Sequence, residues 1–591
     1  MGRITPADIP SQSQMIASSL FRDELEQEYI KYTGLKRGTI LKDHARVVEK
    51  DDILFLNEWV VKYLCDMART ALGPFGHDKM VSKDLGDLPP IRYVYVTNDI
   101  FEFLNLVEFS HPVARLALDM AKAVDTEVGD GVASALVLAG ALVTRGCDLV
   151  RKGIHPSIVS EGYDEALKMC IGFLEEMAEP INGSEKNLYS VALSSIRNKG
   201  ADLIEDDLAK TVVNIYKKMR GSGKYYFDMS DLKIERTIGK SLSDTVFVDG
   251  VILRNEVVHD GMPKRVEGGR VALISKPIVT RDFDKPVGYD HIVFEFEEKT
   301  AYNSYSRYRE KVLLESADKI VSSGANVLFL TKGVDEIVID VLVKKGILTV
   351  RRVVPEDMDR IARATGGTVV AYPSQLSGEV LGYAKLVEER KIGDSEWIIV
   401  EGAYSGPQSI LITAPHVEMA RDAEHLILNS VRALSSLGVE PKVLPGGGVA
   451  LVEAAIRLRR SAWRSDPMKA VVLEAFADAL EHVHAAIVEN AGYDVVNVMA
   501  EVRRMHEEGA SDAGFDVIWG GFRRFVSAGI IDPLPTVRQA LTSAVHFAKT
   551  ILKTDNIFFI PRTRRELMEK RKAERKRKGK RPGDWVEEKQ Y

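Results

Sequence analysis

The feature of this sequence that most restricts its fold is a change of pattern in the middle of the chain. Helical spacing of apolar residues dominates before about residue 228 and again after Pro415, whereas the segment from about Leu232 to Pro373 alternates strands with helices. The run ANVLFLTKGVDEIVIDVLVKKGILTVRRV within it predicts strand, helix and strand. The chain is therefore predicted to leave a helical domain, build a separate α/β domain and return, so that the helical domain is discontinuous.

Composition limits the class of protein. A chain of 591 residues predicts three or four domains, and 45% hydrophobic with 28% charged residues is typical of a soluble globular protein. No run approaches the ~20 apolar residues that span a bilayer, and the N-terminus has no apolar signal core, so we expect cytoplasmic residence and no membrane partner. The three cysteines, Cys65, Cys147 and Cys170, are widely spaced and predict reduced thiols rather than disulfides or a metal site.

A basic block lies near the C-terminus. The stretch from Arg562 to Arg581 has twelve basic and three acidic residues, a net charge of +9 in a chain whose net charge is −6. Such a block is usually a solvated helix or tail, and nucleic-acid binding is the functional alternative. We favour the solvated tail, because no aromatic residues interleave the block for base stacking.

Three turns are predicted to converge in the first helical part. A helix over about 51–71 ends at LGPFG, where Gly73 and Pro74 force a turn, and a short β-rich run leads into TND. Another helix begins at His111–Pro112 and runs to the Gly129–Gly131 turn, from which an apolar helix starts. Residues near 155–228 are predicted to be mainly helical.

The Gly129–Asp130–Gly131 turn raises the question of a phosphate site. A glycine-rich turn that feeds a helix N-terminus presents free backbone N–H groups and the positive end of the helix dipole. The next two residues, Val132 and Ala133, carry no hydroxyl for a phosphate or its metal. Taken alone, the motif fits a working nucleotide site, an altered one, or a simple turn.

A series of motifs in one order resembles the group II chaperonins, the family of the thermosome and the eukaryotic cytosolic ring subunits. The resemblance covers about residues 40–556, and although each motif is weak alone, a dozen in register is specific. The motifs are LGPFGHDKM, VTND, HPVARLALDMAK, EVGDGVASALVLAGALV, NEVVHDGMPKRVEGGRVALI, GANVLFLTKGVDEI, GILTVRRV, RIARATGG, LGYAKLVEERKIGD, PGGGVALVEAAIR, LEAFADALE, ENAGYD and IIDPLPTVRQAL.

The resemblance implies a multi-domain α+β fold and a double ring of subunits that encloses a folding chamber for non-native proteins. It implies a mainly helical equatorial domain that binds ATP, a small helical or mixed intermediate hinge domain, and an α/β apical domain that binds substrate. The predicted ranges are 1–40 for an N-terminal extension, 41–154 and 416–560 for the equatorial domain, 155–230 and 381–415 for the intermediate domain, 231–380 for the apical domain, and 561–591 for the basic tail.

A helical protrusion that serves as a built-in lid is expected around Val279 to Val312. This segment matches the family poorly and is rich in aromatic residues, which favour packing within the protrusion, with client contact for a minority of them. The aromatic residues are Phe283, Tyr289, Phe294, Phe296, Tyr302, Tyr305 and Tyr308.

The resemblance also assigns roles in a nucleotide site that would take ATP and Mg²⁺. Asp130 would hold the metal, Asp99 would help to place the attacking water, Gly73 and Pro74 would border the phosphates, and Lys199 would sense the γ-phosphate when the hinge closes. The other predicted contacts with nucleotide are Gly129, Gly131, Val132, Ala133, Ser134, Gly446, Gly447, Gly448 and Asp516. Without the family, PGGG is only a turn at a helix start.

Several positions depart from the family pattern. Ile100 stands where the family has a glycine after TND, Phe75 replaces a lysine, and Val132 and Ala133 replace two threonines whose hydroxyls approach the phosphates. Each lost hydroxyl should weaken phosphate binding by roughly 1 kcal/mol.

The largest departure lies in VEMARDAEHLILNSVRAL, where the family carries the catalytic aspartate followed by a small residue. Alignment places Asn429 and Ser430 there, and an amide can neither accept a proton at neutral pH nor carry charge. Asp422, two helical turns earlier, is roughly 10 Å away along the axis and cannot substitute. Loss of one positioned base typically costs ~10²–10⁴ in rate. The alternative is a misaligned helix, because LITAPH lacks the family's upstream glycine pair.

Three functions remain open from the sequence. The preferred one is a chaperone subunit of a double ring that binds ATP or ADP, hydrolyses ATP poorly, and depends on active paralogues in a mixed ring. The second is a subunit that cycles normally on ATP. The third, from another class, is a non-cycling scaffold on the chaperonin fold that binds nucleic acid through Arg562–Arg581.

Overall fold

The structure is a computed structural model that describes residues 46–48, 50–84, 92–109, 111–181, 185–196, 205–220, 231–239, 241–279, 299–404, 406–462 and 466–559. The helices of this part are α1 (Lys50–Arg69), α2 (Ile100–Leu106), α3 (Pro112–Val128), α4 (Val132–Arg151), α5 (Pro156–Met177), α6 (Glu185–Ile196), α7 (Glu205–Arg220), α8 (Lys299–Ser322), α9 (Glu336–Lys344), α10 (Pro355–Thr365), α11 (Val417–Val439), α12 (Val449–Ala462), α13 (Pro467–Leu480), α14 (His482–Asn490), α15 (Val495–Glu507), α16 (Phe525–Ala528) and α17 (Leu534–Lys553).

The strands are β1 (Arg46–Val48), β2 (Lys79–Asp84), β3 (Arg92–Thr97), β4 (Glu179–Pro180), β5 (Leu232–Ile238), β6 (Val246–Val248), β7 (Gly250–Leu253), β8 (Arg265–Ile274), β9 (Val327–Leu330), β10 (Leu348–Val350), β11 (Val369–Val370), β12 (Gly382–Ile392), β13 (Ser395–Gly402), β14 (Gln408–Ala414), β15 (Lys442–Pro445), β16 (Ala513–Asp516), β17 (Gly521–Arg524), β18 (Ile531–Pro533) and β19 (Ile557–Phe559).

The chain divides into two compact units. One consists of residues 1–57 and 553–591, and in its described part β1 pairs with β19 antiparallel, with Arg46 opposite Phe559. The other runs from Glu58 to Leu552 and holds every strand from β2 to β18.

A seven-stranded mixed sheet forms the predicted α/β part. Its order is β10-β9-β8-β12-β13-β7, with β11 also paired to β8, and β8, β9 and β10 run parallel. All four residues of β9 are buried, as expected for a parallel strand covered on both faces. The sheet and the helices α8, α9 and α10 share one apolar core, which confirms the α/β module between helical segments.

A smaller layer joins three strands to three helices. The strand order is β5-β14-β6, with β14 parallel to β5 and antiparallel to β6. Residues of α6, α7 and the long helix α11 pack with this sheet in one cluster of buried apolar side chains.

The remaining helices come from both ends of the sequence. The early helices α4 and α5 pack against the late helices α12, α13 and α14, and β15 pairs with both β4 and β18. Because α4 and α5 are hundreds of residues away from α12, α13 and α14 in the chain, the prediction of a discontinuous helical domain within a multi-domain α+β fold is confirmed.

The sheets of the structure do not follow the domain boundaries that were predicted from the sequence. The predicted apical range ends at residue 380, but β12 and β13 continue the seven-stranded sheet to Gly402, while β5 and β6 belong to the three-stranded sheet. Antiparallel pairing of β12 with β8 and β13 is a long-range property that local periodicity does not reveal. The three-domain division stays a prediction.

Several predicted features fall outside the described residues. They include the N-terminal extension, the basic tail, Lys199, and the protrusion between residues 280 and 298. The rest of the predicted protrusion begins α8, where the side chain of Tyr308 is exposed.

Contrary to the expectation from the sequence, one described helix, α4, is long and apolar enough by composition to cross a membrane. However, 72% of its most apolar window is buried within the protein. Its neighbours α3, α5 and α13 cover it, so α4 behaves as the core helix of a globular domain. Cys147 on this helix is buried, and all three cysteines are free thiols, as predicted.

Candidate nucleotide site

A cavity of about 280 Å³ lies where the three predicted turns meet segments from the second half of the chain. This volume is near the lower end of the ~300–1,000 Å³ typical of small-molecule sites. The polar and turn residues on its wall include Gly73, Pro74, Asn98, Asp99, Asp125, Gly129, Asp130, Gly131, Ser134, Ser190, Ser194, Asn429, Gly447, Gly448, His484, Asp516, Asp532 and Thr536.

The Gly129–Gly131 turn presents a helix N-terminus to this cavity. Both glycines have left-handed backbone (φ +71° and +86°), a conformation that favours glycine. A Cβ at Gly129 would lie 2.2 Å from the Cβ of Arg432, so no other residue fits there. Gly131 is the N-cap of α4 and has no side chain that could accept hydrogen bonds from the helix. The first N–H groups of α4 therefore remain available to an anion.

The Asp130 carboxylate lies between these glycines on the cavity wall. Its Oδ1 accepts a hydrogen bond from the Gly131 N–H at 2.7 Å. No group of three or more His, Cys, Asp or Glu side chains among the described residues forms a complete metal site. One carboxylate beside a phosphate site nevertheless fits Mg²⁺, which usually takes one or two protein carboxylates together with phosphate oxygens and waters.

Asp99 is held by the start of the short helix α2. Its Oδ1 accepts hydrogen bonds from the N–H groups of Phe101 and Glu102, at 2.8 and 3.2 Å, as an N-cap. Its own N–H donates to the Thr97 hydroxyl at 3.1 Å. The turn TND is therefore a rigid cap whose second carboxylate oxygen remains for other partners.

Asn429 on α11 forms a hydrogen bond with that second oxygen. Its Nδ2 donates to Asp99 Oδ2 at 2.8 Å, although the two residues are 330 positions apart. One turn further along α11, Arg432 donates to Asp125 Oδ2 at 2.9 Å. Asn429, to which the sequence alignment assigned the place of the family's catalytic aspartate, therefore lines the cavity, and Arg432 binds an aspartate of its wall.

A second link between α2 and α11 lies one helical turn away. His425 Nε2 is 3.5 Å from Glu102 Oε1, and the Thr97 hydroxyl donates to Glu102 Oε2 at 3.0 Å. The Glu102 carboxylate raises the pKa of His425 above its usual value. Together with the bond between Asn429 and Asp99, this pair fixes α11 against α2.

The opposite wall of the cavity is built by β16, β18 and the glycine turn before α12. His484 is buried and bridges two of these elements, since its Nδ1 lies 2.9 Å from the Gly447 oxygen and its Nε2 accepts from the Phe515 N–H at 3.4 Å. Burial lowers the pKa of His484 to about 4, so the imidazole is neutral at neutral pH. Asp516 uses both oxygens within its own hairpin, including one that binds Arg523.

Asp532 lies in this wall and has no cationic partner among the described residues. Its oxygens accept from the Gly447 N–H at 3.1 Å and the Ser194 hydroxyl at 3.4 Å. Burial, and secondarily the nearby Asp130 carboxylate, raise the pKa of Asp532 to about 6. The cavity therefore concentrates negative charge, which a bound cation would offset.

This charge predicts a specific pH dependence of stability. An acid whose pKa is raised in the folded state stabilises the fold below its unfolded pKa, and that contribution is lost as the pH rises through about 6. We expect the thermal midpoint of the nucleotide-free protein to fall between about pH 4 and 6 and to level off above that range. The Asp532→Asn variant should flatten that fall, because a shift of about two pKa units corresponds to ~3 kcal/mol.

Asp422 provides the comparison for this measurement. Burial and the Glu102 carboxylate raise its pKa to about 6 as well, so it contributes a slope of the same sign. The Asp422→Asn variant should remove its own share and leave that of Asp532. If the thermal midpoint of the Asp532→Asn variant varied with pH as that of the parent does, the surroundings would not raise the pKa of Asp532.

The structure brings most of the predicted site residues together around this one cavity. Of those described, only Gly446 does not line the cavity; it lies behind the wall, where a Cβ would be 3.1 Å from Asp532 Oδ1. Asp422 also lies outside the lining, as its helical offset predicted. Sequence reasoning did not select Asp532, His484 or Thr536, although IIDPLP was among the recognised motifs.

A discontinuous helical domain with a Gly-Asp-Gly turn, joined to an inserted α/β domain, is the architecture that the sequence resemblance implied for a chaperonin subunit. The sequence model of the TCP-1/cpn60 chaperonin family matches residues 64–560, and the chain belongs to this family.

Its relatives include several archaeal proteins. The chain is 36% identical to a thermosome subunit of Methanopyrus kandleri, over 85% of this chain and 91% of the relative. It is 35% identical to the thermosome subunit beta of Archaeoglobus fulgidus, over 88% and 94%, and to that of Desulfurococcus mucosus, over 85% and 99%. These relatives confirm the resemblance to group II chaperonins.

Proposed function

We propose that this protein is a ring-forming chaperonin subunit that binds ATP with Mg²⁺ and hydrolyses it slowly. The observation that carries the proposal is the hydrogen bond from Asn429 to Asp99 on the cavity wall. It supports the alignment of Asn429 with the family's catalytic aspartate. It also means that an uncharged amide stands where a proton acceptor is needed.

The binding half of the proposal rests on the turns. The free N–H groups at the start of α4 suit phosphate oxygens, and Asp130 would hold Mg²⁺, which would offset the phosphate charge. Gly73 and Pro74 form the adjoining edge, while Gly447, Gly448 and Asp516 form the side assigned to the nucleoside. The apolar replacements Val132 and Ala133 weaken the phosphate contacts without closing the cavity.

The expectation of slow ATP hydrolysis rests on the hydrogen bonds that Asp99 already makes. This carboxylate already accepts two backbone N–H groups and the Asn429 amide, so it is engaged as a structural cap. Water placed against it would have no second carboxylate to accept its proton. Phosphoryl transfer depends on such positioning and charge, so turnover should be slow.

The relatives support a ring assembly of subunits and a role in protein folding. They are named as subunits of the thermosome, and the chain covers more than nine-tenths of each relative cited above. We infer a double ring that encloses non-native proteins, with copies of this chain or with active paralogues. Cytoplasmic residence remains part of this proposal.

Equilibrium binding of ADP, measured by calorimetry with and without Mg²⁺, tests the binding half. We expect Mg²⁺ to tighten binding by the parent protein. The Asp130→Asn variant should lose that effect, with affinity in Mg²⁺ weaker by at least about tenfold, because even indirect support of a metal ligand is worth 10–100-fold.

The Asp148→Asn variant is the matched control. Asp148 lies on α4 as an exposed partner of Arg151, at the far end of the same helix. It should bind Mg-ADP like the parent. Absence of ADP binding by the parent protein would contradict the proposed function, and equal loss in both variants would contradict the role of Asp130.

A further inference from the structure

Thr536 carries a buried hydroxyl without a partner on the wall of the nucleotide cavity. Its residue is only 6% exposed, and its Oγ1 makes no hydrogen bond to any described residue. Among the described side chains with such an unsatisfied buried atom, Thr536 is the one that lines the cavity. Because an unpaired buried polar group is costly, its presence there points to a partner that arrives from outside the chain.

The position of Thr536 indicates which part of a ligand it would meet. It lies in the first turn of α17, and its methyl carbon Cγ2 is 3.1 Å from the place that a Cβ on Gly131 would take. Gly131 precedes the N-terminus of α4, where the free N–H groups attract an anion. A rotation of about 120° about χ1 moves the hydroxyl to the place where the methyl group now lies, on the side of Gly131.

We propose that Thr536 donates a hydrogen bond to a phosphate oxygen of the bound nucleotide. This inference rests on the proposed function and deepens it, because it identifies a positioning residue on a helix that neither the GDG turn nor TND includes. The Thr536 hydroxyl would supply a hydrogen-bond donor to the phosphates, where Val132 and Ala133 have no hydroxyl. A hydroxyl donates one hydrogen bond, and an anionic acceptor makes that bond stronger than a neutral one.

The surroundings of Thr536 favour a donor there. Asp532 lies four residues earlier, on β18, and Asp130 is close enough to raise the pKa of Asp532, so this corner already holds two acceptors. Neither carboxylate can bind a phosphate oxygen directly without a proton or a metal between them. The Thr536 hydroxyl and the N–H groups of α4 would supply donors to this corner.

The experiment compares ADP with adenosine as probes in competition with a fluorescent ADP analogue. In the Thr536→Val variant, which keeps the shape of the side chain, we expect ADP to bind about 5–10-fold more weakly and adenosine to bind as in the parent. The Thr536→Ser variant should restore ADP affinity to within about twofold. The Thr550→Val variant, on the exposed part of the same helix, should behave like the parent.

The thermal midpoint without nucleotide separates this role from a purely structural one. Removing an unpaired hydroxyl should leave the Thr536→Val variant at least as stable as the parent. Unchanged ADP affinity in that variant overturns the inference, as does an equal loss for adenosine, which would place the hydroxyl away from the phosphates. Failure of the parent itself to bind ADP would instead defeat the proposed function on which the inference rests.

Discussion

The Asn429→Asp variant should hydrolyse ATP about 10²-fold faster than the parent protein, the lower end of what a positioned base contributes. The Asn429 amide contacts Asp99 Oδ2 at 2.8 Å, so a carboxylate in its place would face the same side chain, which we propose to place the attacking water. It would add the proton acceptor that the amide lacks. Val132 and Ala133 would still lack hydroxyls, so we expect a partial recovery. Phosphate release under saturating ATP measures the gain.

The gain should increase with pH. Two facing carboxylates share a proton at low pH, and only when both are ionised is the new group a base. The activity of the Asn429→Asp variant should therefore rise through the range in which this pair titrates. Magnesium-bound nucleotide should lower that range, since a nearby cation favours the ionised forms.

The Asn429→Ala variant is the control for loss of the amide alone. It removes the hydrogen bond to Asp99 without supplying a base, so its hydrolysis should stay at the parent's level. If the Ala variant accelerates hydrolysis as much as the Asp variant does, the amide acts as a brake on Asp99 rather than as a missing base. If neither variant changes a readily measured parental rate, α11 does not supply the catalytic group.

The second large effect concerns stability. Lys233 on β5 is buried, and its Nζ binds Asp357 Oδ2 at 2.7 Å and the Ile252 oxygen at 2.8 Å. Asp357 lies on α10 and also accepts from Arg360, so the pair joins the three-stranded sheet to the seven-stranded one. The Asp357→Asn variant should lose about 3 kcal/mol, because it leaves a buried cation without its nearest counter-charge.

Calorimetry of the nucleotide-free protein should show this loss as a thermal midpoint lowered by roughly 3 °C, because the shift is the lost free energy divided by the unfolding entropy of a large unit. The double variant Lys233→Met with Asp357→Asn should recover most of it, since removal of both charges ends the mismatch. The Glu315→Gln variant, from an exposed pair with Lys311, should not shift the midpoint. A single Asp357→Asn variant as stable as the parent would show that the ion pair does not hold the two sheets together.

Local signals in the sequence were sufficient to predict much of the site. The glycines at positions 129 and 131 adopt the left-handed backbone that favours glycine, and Pro112 begins α3 as its position predicted. The apolar run after the turn forms α4. These features depend on neighbouring residues, so a sequence pattern contains them.

Long-range pairing supplied what the sequence could not. The contact between Asp99 and Asn429 joins residues 330 positions apart, and alignment alone could not show that the amide reaches the carboxylate. Asp532 and Thr536 belong to the site only because β18 and the start of α17 pack beside Gly131 and Gly447. The boundary of the seven-stranded sheet could not be predicted from the sequence either, because the order of strands in a sheet depends on long-range pairing.

The most direct test of the account is a single-turnover measurement on the parent protein, with protein in excess over radiolabelled ATP and Mg²⁺. The bound fraction and the fraction converted to ADP are followed on the same sample. We predict that ATP is bound and remains almost entirely ATP over a period in which the Asn429→Asp variant converts most of it. Conversion by the parent at the variant's rate would contradict the claim that this chaperonin site binds nucleotide but lacks its base.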